Sequence, residues 1–415
     1  MPGLYHTADL PVHDPDHRVG FLLALARALH AHGTSTQWSE QVLNEASTRL
    51  GIIGQFFVTP TSVFSAFGPQ VNQRVYLMRV EPGETDLGRL ARIDQVVVDV
   101  LAGALTPAEG SARLGEIEHG RNPWPTVITT VAFATASGAA CRFLGGGTRE
   151  IAVATALGLI TGLLAIAAHR WHALGRVFTP LAAFVAAALA TTGAITVGGY
   201  SPSIAMLGGL IVLLPGMMLT TAMTELAANH LSAGTARLSG AFIVFISLGV
   251  GVAFGQRVAT ELLGPAPLLI PTPLPGGTIW VALVVAACSF AVLLRALPRD
   301  LPWILLAGAV GFLGSRAGNT VLGPEFGAFL GALCVGAGSN FLARKTNRPA
   351  AITMVPGTLL LVPGSVGFRS VTAMLEREVV SGIDTMFSML LLAISLVAGL
   401  FFANLLAPER RIGNA

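Results

Sequence analysis

A chain of 415 residues that is 53% hydrophobic and only 11% charged, with a mean hydropathy of +0.69, falls outside the range of ordinary soluble domains. The formal net charge of +3 is small, and no basic cluster with interleaved aromatics is present, which excludes a nucleic-acid surface. Cys141, Cys288 and Cys334 all lie in apolar runs, where a small apolar residue serves packing better than a disulfide or a metal.

Residues 1–16 are polar, rich in Pro, Asp and His, and lack the apolar core of a signal peptide. They read as a flexible tail, and residues 17–120 as a small soluble α/β domain that stays in the cytoplasm. Apolar residues recur at helical spacing through Leu22, Leu25, Ala26 and Leu29, with Gly33 as a stop. A second helix is predicted from Thr36 to Leu50, with Trp38, Val42, Ala46 and Leu50 on one stripe. Three strands follow, at Gln55 to Thr59, Ser62 to Phe67 and Arg74 to Val80. Helices at Leu87 to Ala104 and Pro107 to Ile117 close the domain, the last opened by a capping box at Thr106 and Glu109.

His30, His32, Ser35, Ser39 and Glu40 cluster in this domain. They lack a Gly-x-Ser-x-Gly elbow, paired metal-ligand spacing or a phosphate loop, so they read as exposed polar residues at a helix end. A regulatory or assembly role fits the domain better than catalysis. No motif calls for a cofactor, and the chain does not read as an enzyme.

From residue 125 on, apolar runs long enough to cross about 30 Å of hydrocarbon recur with short connections. Ten spans are predicted: 126–143, 150–168, 178–197, 203–224 and 239–258 in a first part (125–262), then 278–295, 301–318, 325–342, 350–372 and 384–406 in a second (277–407). A tail follows at 408–415. Arginine placement sets the orientation. One side of the membrane collects Arg170, Arg176, Arg237, Arg295, Arg299, Arg344, Lys345, Arg348, Arg410 and Arg411; the other has Arg142, Arg149, Arg257, Arg316, Arg369 and Arg377. Both termini are thus expected in the cytoplasm. Five spans per part is an odd number, so the two parts should form inverted repeats, and the fold class is membrane all-α behind a small α/β domain.

Each part carries proline and glycine within an apolar run. Pro215-Gly216 stands in the first; Pro356-Gly357 and Pro363-Gly364 stand in the second. Proline removes a backbone donor and glycine weakens a helix, so these positions predict non-helical backbone at membrane depth, which survives only where protein or a water-filled cavity satisfies it. Paired interruptions of this kind point to a transporter's substrate site. Ser239-Gly240 and Ser381-Gly382 follow Pro215 and Pro356 at similar distances, which favours Pro356-Gly357 as the counterpart of Pro215-Gly216.

Longer patterns carry a family resemblance. His32-Gly33-Thr34-Ser35, Glu40, Arg49-Leu50-Gly51, Val58-Thr59-Pro60-Thr61-Ser62, Asp86-Leu87 and Leu105-Thr106 resemble the cytoplasmic domain of the threonine/serine exporter family. Leu214-Pro215-Gly216, Thr220-Thr221-Ala222, Glu225-Leu226 and Ser239-Gly240 look like that family's first membrane repeat, and Val362-Pro363-Gly364-Ser365 like its second, which favours Pro363-Gly364 instead. The resemblance implies a bacterial inner-membrane carrier that exports threonine and serine, coupled to the proton gradient. Some relatives are associated with small carboxylates such as dicarboxylates.

A zwitterionic amino acid needs donors for its carboxylate, acceptors for its ammonium and a polar spot for a hydroxyl. Half-helix ends at Pro215, Gly216, Pro363 and Gly364 can supply the first two, with Pro356 and Gly357 shaping the second half. Thr220, Thr221 and Thr224 after the first break and Ser365 after the second are the hydroxyl candidates, although membrane threonines often bond back to their own helix. Glu225 can carry the coupling proton, hold the ammonium, or pair with Arg237 or His230 at the interface. Asp384 reads as a helix-start residue. The sequence is compatible with a homo-oligomer. Readings that compete with the amino-acid exporter are a carboxylate exporter and a membrane-anchored hydrolase that uses the N-terminal domain.

Overall fold

The computed structural model describes residues 16–410 apart from 82, 121, 268 and 273. The expected N-terminal tail, except Asp16, and the last five residues of the C-terminal tail, Arg411 among them, lie outside the described residues. Contacts divide the chain into two compact units that part at residues 121 and 122.

The N-terminal unit contains α1 (His17–Ala31), α2 (Thr36–Arg49), β1 (Gly54–Thr59), β2 (Ser62–Phe67), β3 (Arg74–Arg79), α3 (Leu87–Leu101) and α4 (Pro107–Glu118). The strands form an antiparallel sheet in the order β1-β2-β3, with Phe57 opposite Phe64 and Phe64 opposite Leu77. α1 is the centre of the unit. Phe21, Leu22, Leu25 and Leu29 are all buried in it, because α2, α3, α4 and β2 each pack against it. α4 begins with the expected capping box, in which Glu109 N donates to Thr106 Oγ1 (3.3 Å) and Thr106 N to Glu109 Oε2 (2.8 Å).

The histidine cluster departs from expectation. His30, His32 and Ser39 are buried, not exposed. His30 Nε2 lies 2.8 Å from the Pro60 carbonyl, Ser39 Oγ is 2.6 Å from Thr34 Oγ1, and Glu40 Oε1 accepts from Val58 N at 2.8 Å. Through His30 and Glu40 these polar groups tie the α1–α2 corner to the first hairpin, as hydrogen bonding of buried polar groups requires.

The second unit is helical: α5 (Thr126–Phe143), α6 (Thr148–Arg170), α7 (His172–Thr196), α8 (Pro202–Gly209), α9 (Gly216–Ala227), α10 (Leu231–Leu263), α11 (Thr278–Leu293), α12 (Leu301–Leu322), α13 (Pro324–Thr346), α14 (Ala351–Leu359), α15 (Gly364–Leu375) and α16 (Val379–Leu406). Among the described residues seven stretches are long and apolar enough to cross a membrane. An eighth arises if α8 and α9, bent by 52° at their break, are counted as one. α11 is apolar but only 16 residues long. α5 has 18 residues but carries several threonines and Arg142, which lower its hydropathy. Asp384 lies inside α16, which starts five residues earlier at Val379.

Small residues let the long helices approach. A Cβ on Gly251 of α10 would lie 2.3 Å from the Pro180 carbonyl of α7, and one on Gly399 of α16 the same distance from the Phe329 carbonyl of α13. Close backbone contact of this kind is how helices associate in lipid, where burying apolar surface brings no gain.

Candidate functional site

At the first interruption α8 ends at Gly209, a 3-10 turn spans Ile211–Leu213, and Leu214 is extended. Pro215 then caps α9 with φ −79° and ψ 40°. At the second interruption α14 ends at Leu359 and Pro363 caps α15 with φ −78° and ψ 26°. The match continues outward. α9 and α15 each have 12 residues. Each is followed by a residue in the left-handed region, Asn229 (φ 64°) and Arg377 (φ 68°), and then by α10 at Leu231 and α16 at Val379. Gly234 and Gly382 press on the α9 and α15 backbones at the Ala222 and Ser370 carbonyls. All these pairs stand 148 residues apart, as 216 and 364 do.

This register makes Pro363-Gly364 the structural counterpart of Pro215-Gly216 and corrects the expectation drawn from the Ser-Gly spacing. Gly382 matches Gly234, not Gly240. Pro356 does not break its helix; it lies inside α14. It sits within the second turn, where a proline deprives the helix of only one hydrogen bond. Gly357 beside it admits Val335, whose Cγ1 would be 2.8 Å from a Cβ there.

The two breaks touch. A Cβ built on Gly364 would lie 3.3 Å from the Gly216 Cα, which leaves room for glycine alone without adjustment. Pro215, Gly216, Pro363 and Gly364 are all buried, and neither helix start has a side-chain cap. Two helix N-termini therefore meet, each presenting N–H groups without an intrahelical partner and the positive end of its dipole. An anionic group suits such a place.

Thr220 is one turn into α9. It is 3% exposed, and its hydroxyl has no hydrogen-bond partner in the protein. Thr224 Oγ1 instead donates to the Thr220 carbonyl at 2.9 Å, the back-bonded state common for threonine in helices. Thr221 and Ser365 are half-buried.

Glu225, near the far end of α9, is fully buried. Arg237 on α10 donates through Nε to Glu225 Oε1 at 3.2 Å and lies 3.0 Å from Oε2, so the carboxylate bridges the α9–α10 hairpin. Of the roles left open by the sequence, pairing with Arg237 is the one this geometry contains. The second hairpin lacks it: 148 residues on stand Ala373 and Thr385, and there Ser370 Oγ donates to the Gly382 carbonyl at 2.7 Å.

One anchor was not visible in the sequence. Glu150, at the start of α6 and 3% exposed, accepts from Gly147 N at 3.0 Å and from Ser201 N, just before α8, at 2.8 Å. Asp300 before α12 instead makes a side-chain ion pair with Arg348, which lies just before α14. Each acid fastens a helix start to the segment entering a broken helix. With different residue types in the two halves, nothing in the sequence marks them as equivalent.

The profile of the family described as "Putative threonine/serine exporter" matches residues 20–259, and that of "Threonine/Serine exporter, ThrE" matches residues 279–406. The chain belongs to the threonine/serine exporter family. Among curated relatives of this family member, the probable threonine/serine exporter of Mycobacterium tuberculosis is 25% identical over 370 residues, covering 85% of this chain and 69% of that one. Pheromone-regulated membrane protein 10 of Yarrowia lipolytica is 28% identical over 368 residues, 84% of this chain and 30% of its own. The Saccharomyces cerevisiae protein of that name is 26% identical over 377 residues, 88% of this chain and 48% of its own. The chain thus spans a third to a half of these yeast relatives. No solved structure matches it.

Proposed function

We propose that the chain exports threonine and serine from the cytoplasm, driven by the proton gradient, through a site where the two helix breaks meet. In this reading the helical unit crosses a bacterial inner membrane ten times as two inverted five-helix repeats, α5–α10 and α11–α16, with α8–α9 and α14–α15 each forming one interrupted span. Both termini are cytoplasmic. The 148-residue register supports the repeats, as does the pairing of helices. α5 packs on α11 and α9 on α15, while α10 reaches α15 and α16 reaches α9, the exchange a two-fold relation generates.

The observation that carries the reading is the meeting of two uncapped helix N-termini at Gly216 and Gly364. A substrate carboxylate placed there receives backbone N–H groups from both halves. The last carbonyls of α8 and α14 can accept from the ammonium. Thr220, whose hydroxyl is buried and unsatisfied by protein, is the polar contact for the substrate, with Thr221 and Ser365 beside the breaks as further contacts.

Glu225 is nine residues along α9 from Gly216, about 13 Å at 1.5 Å per residue, too far to hold an ammonium whose carboxylate sits at the break. It serves as the proton carrier. Protonation removes the charge that holds Arg237, and loosening of the α9–α10 hairpin couples proton binding to movement of the first break.

Counterflow in proteoliposomes tests the reading, with labelled threonine, serine, alanine and succinate, with and without a pH gradient. Threonine and serine should exchange, and a gradient should drive net flux. Failure to move any of the four above empty vesicles rules out the transporter reading, and succinate alone would assign the site to small carboxylates.

A further inference from the structure

The sheet of the N-terminal unit is covered on one face only. Phe56, Val58, Val63 and Phe67 point into the core and are buried. The opposite face presents Phe57 of β1 (53% exposed), Phe64 of β2 (38%), and Val75 and Leu77 of β3 (64% each). Phe57, Phe64 and Leu77 lie side by side across the three strands, and the two rings are 6.1 Å apart. Ile53, just before β1, and Val71, in the turn between β2 and β3, extend the apolar surface at one end and are 67% and 99% exposed.

We infer that this face is a docking surface for a second copy of the chain, through which two N-terminal units stack sheet on sheet. The inference is independent of what the chain transports. By their fractional exposures the six residues leave roughly 700 Å² accessible, backbone included, near the roughly 800 Å² that each partner of an ordinary stable interface buries. A one-layer sheet with an apolar outer face is half of a sandwich, and the matching half is another such face. The charge pattern favours a copy over the bilayer. A face made to lie on lipid carries a rim of lysine and arginine; here Arg79 is the charged residue on the face's own strand rows, and Glu81 follows two residues later.

The test uses the full chain with Cys141, Cys288 and Cys334 replaced by alanine. Phe64→Cys is introduced at the centre of the face, and Glu116→Cys on the exposed side of α4 serves as the control. A short bismaleimide should link Phe64→Cys into a covalent dimer and leave the control monomeric. Light scattering in detergent should give twice the chain mass, and Val75→Glu with Leu77→Glu, both at exposed positions, should weaken self-association at least tenfold while circular dichroism stays unchanged. A monomer at micromolar concentration overturns the inference, as does a dimer indifferent to the two glutamates. If Phe64→Cys is shielded from reagent yet unlinked, the face is covered by lipid or another segment, and the inference also fails.

Discussion

Gly216 and Gly364 lie backbone to backbone, but their surroundings differ. A Cβ on Gly216 would come within 2.3 Å of Val362 Cγ1, whereas the nearest atoms to one on Gly364 are 3.3 to 3.4 Å away. Valine is stiff at χ1 and cannot swing aside. Gly216→Ala should therefore introduce strain of about 1–3 kcal/mol and slow exchange more than Gly364→Ala does. Val362→Ala in the Gly216→Ala background should restore much of the rate. Equal losses in both alanine variants, or no rescue in initial-rate measurements, would contradict the packing.

Thr220 separates a ligand from a packing residue. Thr220→Val keeps the shape and removes a buried hydroxyl that the protein leaves unsatisfied. An unmade hydrogen bond at a buried group costs about 1–3 kcal/mol, so the substrate-free protein should become slightly more stable. Without that donor to the substrate, KM for threonine should rise about 5- to 30-fold, the equivalent of ~1–2 kcal/mol, and Thr220→Ser should retain most of the affinity. Thermal midpoint and KM are read on the same preparations. Higher stability with unchanged KM would leave Thr220 as packing only.

For the buried pair, order matters. Arg237→Ala removes a cationic partner from the buried Glu225 carboxylate and should destabilise by about 3–5 kcal/mol. Glu225→Gln removes the charge and should destabilise less. It should also abolish net flux driven by a pH gradient while counterflow continues, because exchange needs no net proton movement. Unimpaired gradient-driven flux in Glu225→Gln would remove this residue from coupling.

The hydropathy pattern located the helices, with ends that vary: α5 occupies Thr126–Phe143, as expected, whereas α10 starts at Leu231, eight residues before the expected span. The strands were equally legible, since β-branched and aromatic alternation coincided with one buried face. The pairing of the breaks was not. Its register resides in backbone states, such as Asn229 and Arg377 both at positive φ, which unlike side chains can share. Ser-Gly spacing pointed to Pro356 because serine and glycine recur by chance in apolar sequence. The buried histidines escaped for a different reason: burial of a polar residue depends on partners such as the Pro60 carbonyl, which lie in another element.

Glu150 holds two helix starts with one carboxylate, so its loss should be felt at both. Glu150→Ala leaves the Gly147 and Ser201 N–H groups without their acceptor in a buried setting, at a cost of about 1–3 kcal/mol for each donor that water does not reach. Glu150→Gln keeps one carbonyl acceptor but turns an amide toward the other N–H, and should lie between alanine and wild type. Ser201 leads into α8, whose far end is the first break, so slack there should lower exchange rate as well as the thermal midpoint. A mutant with a lowered midpoint and an unaltered rate would show that the anchor supports the fold without positioning the break.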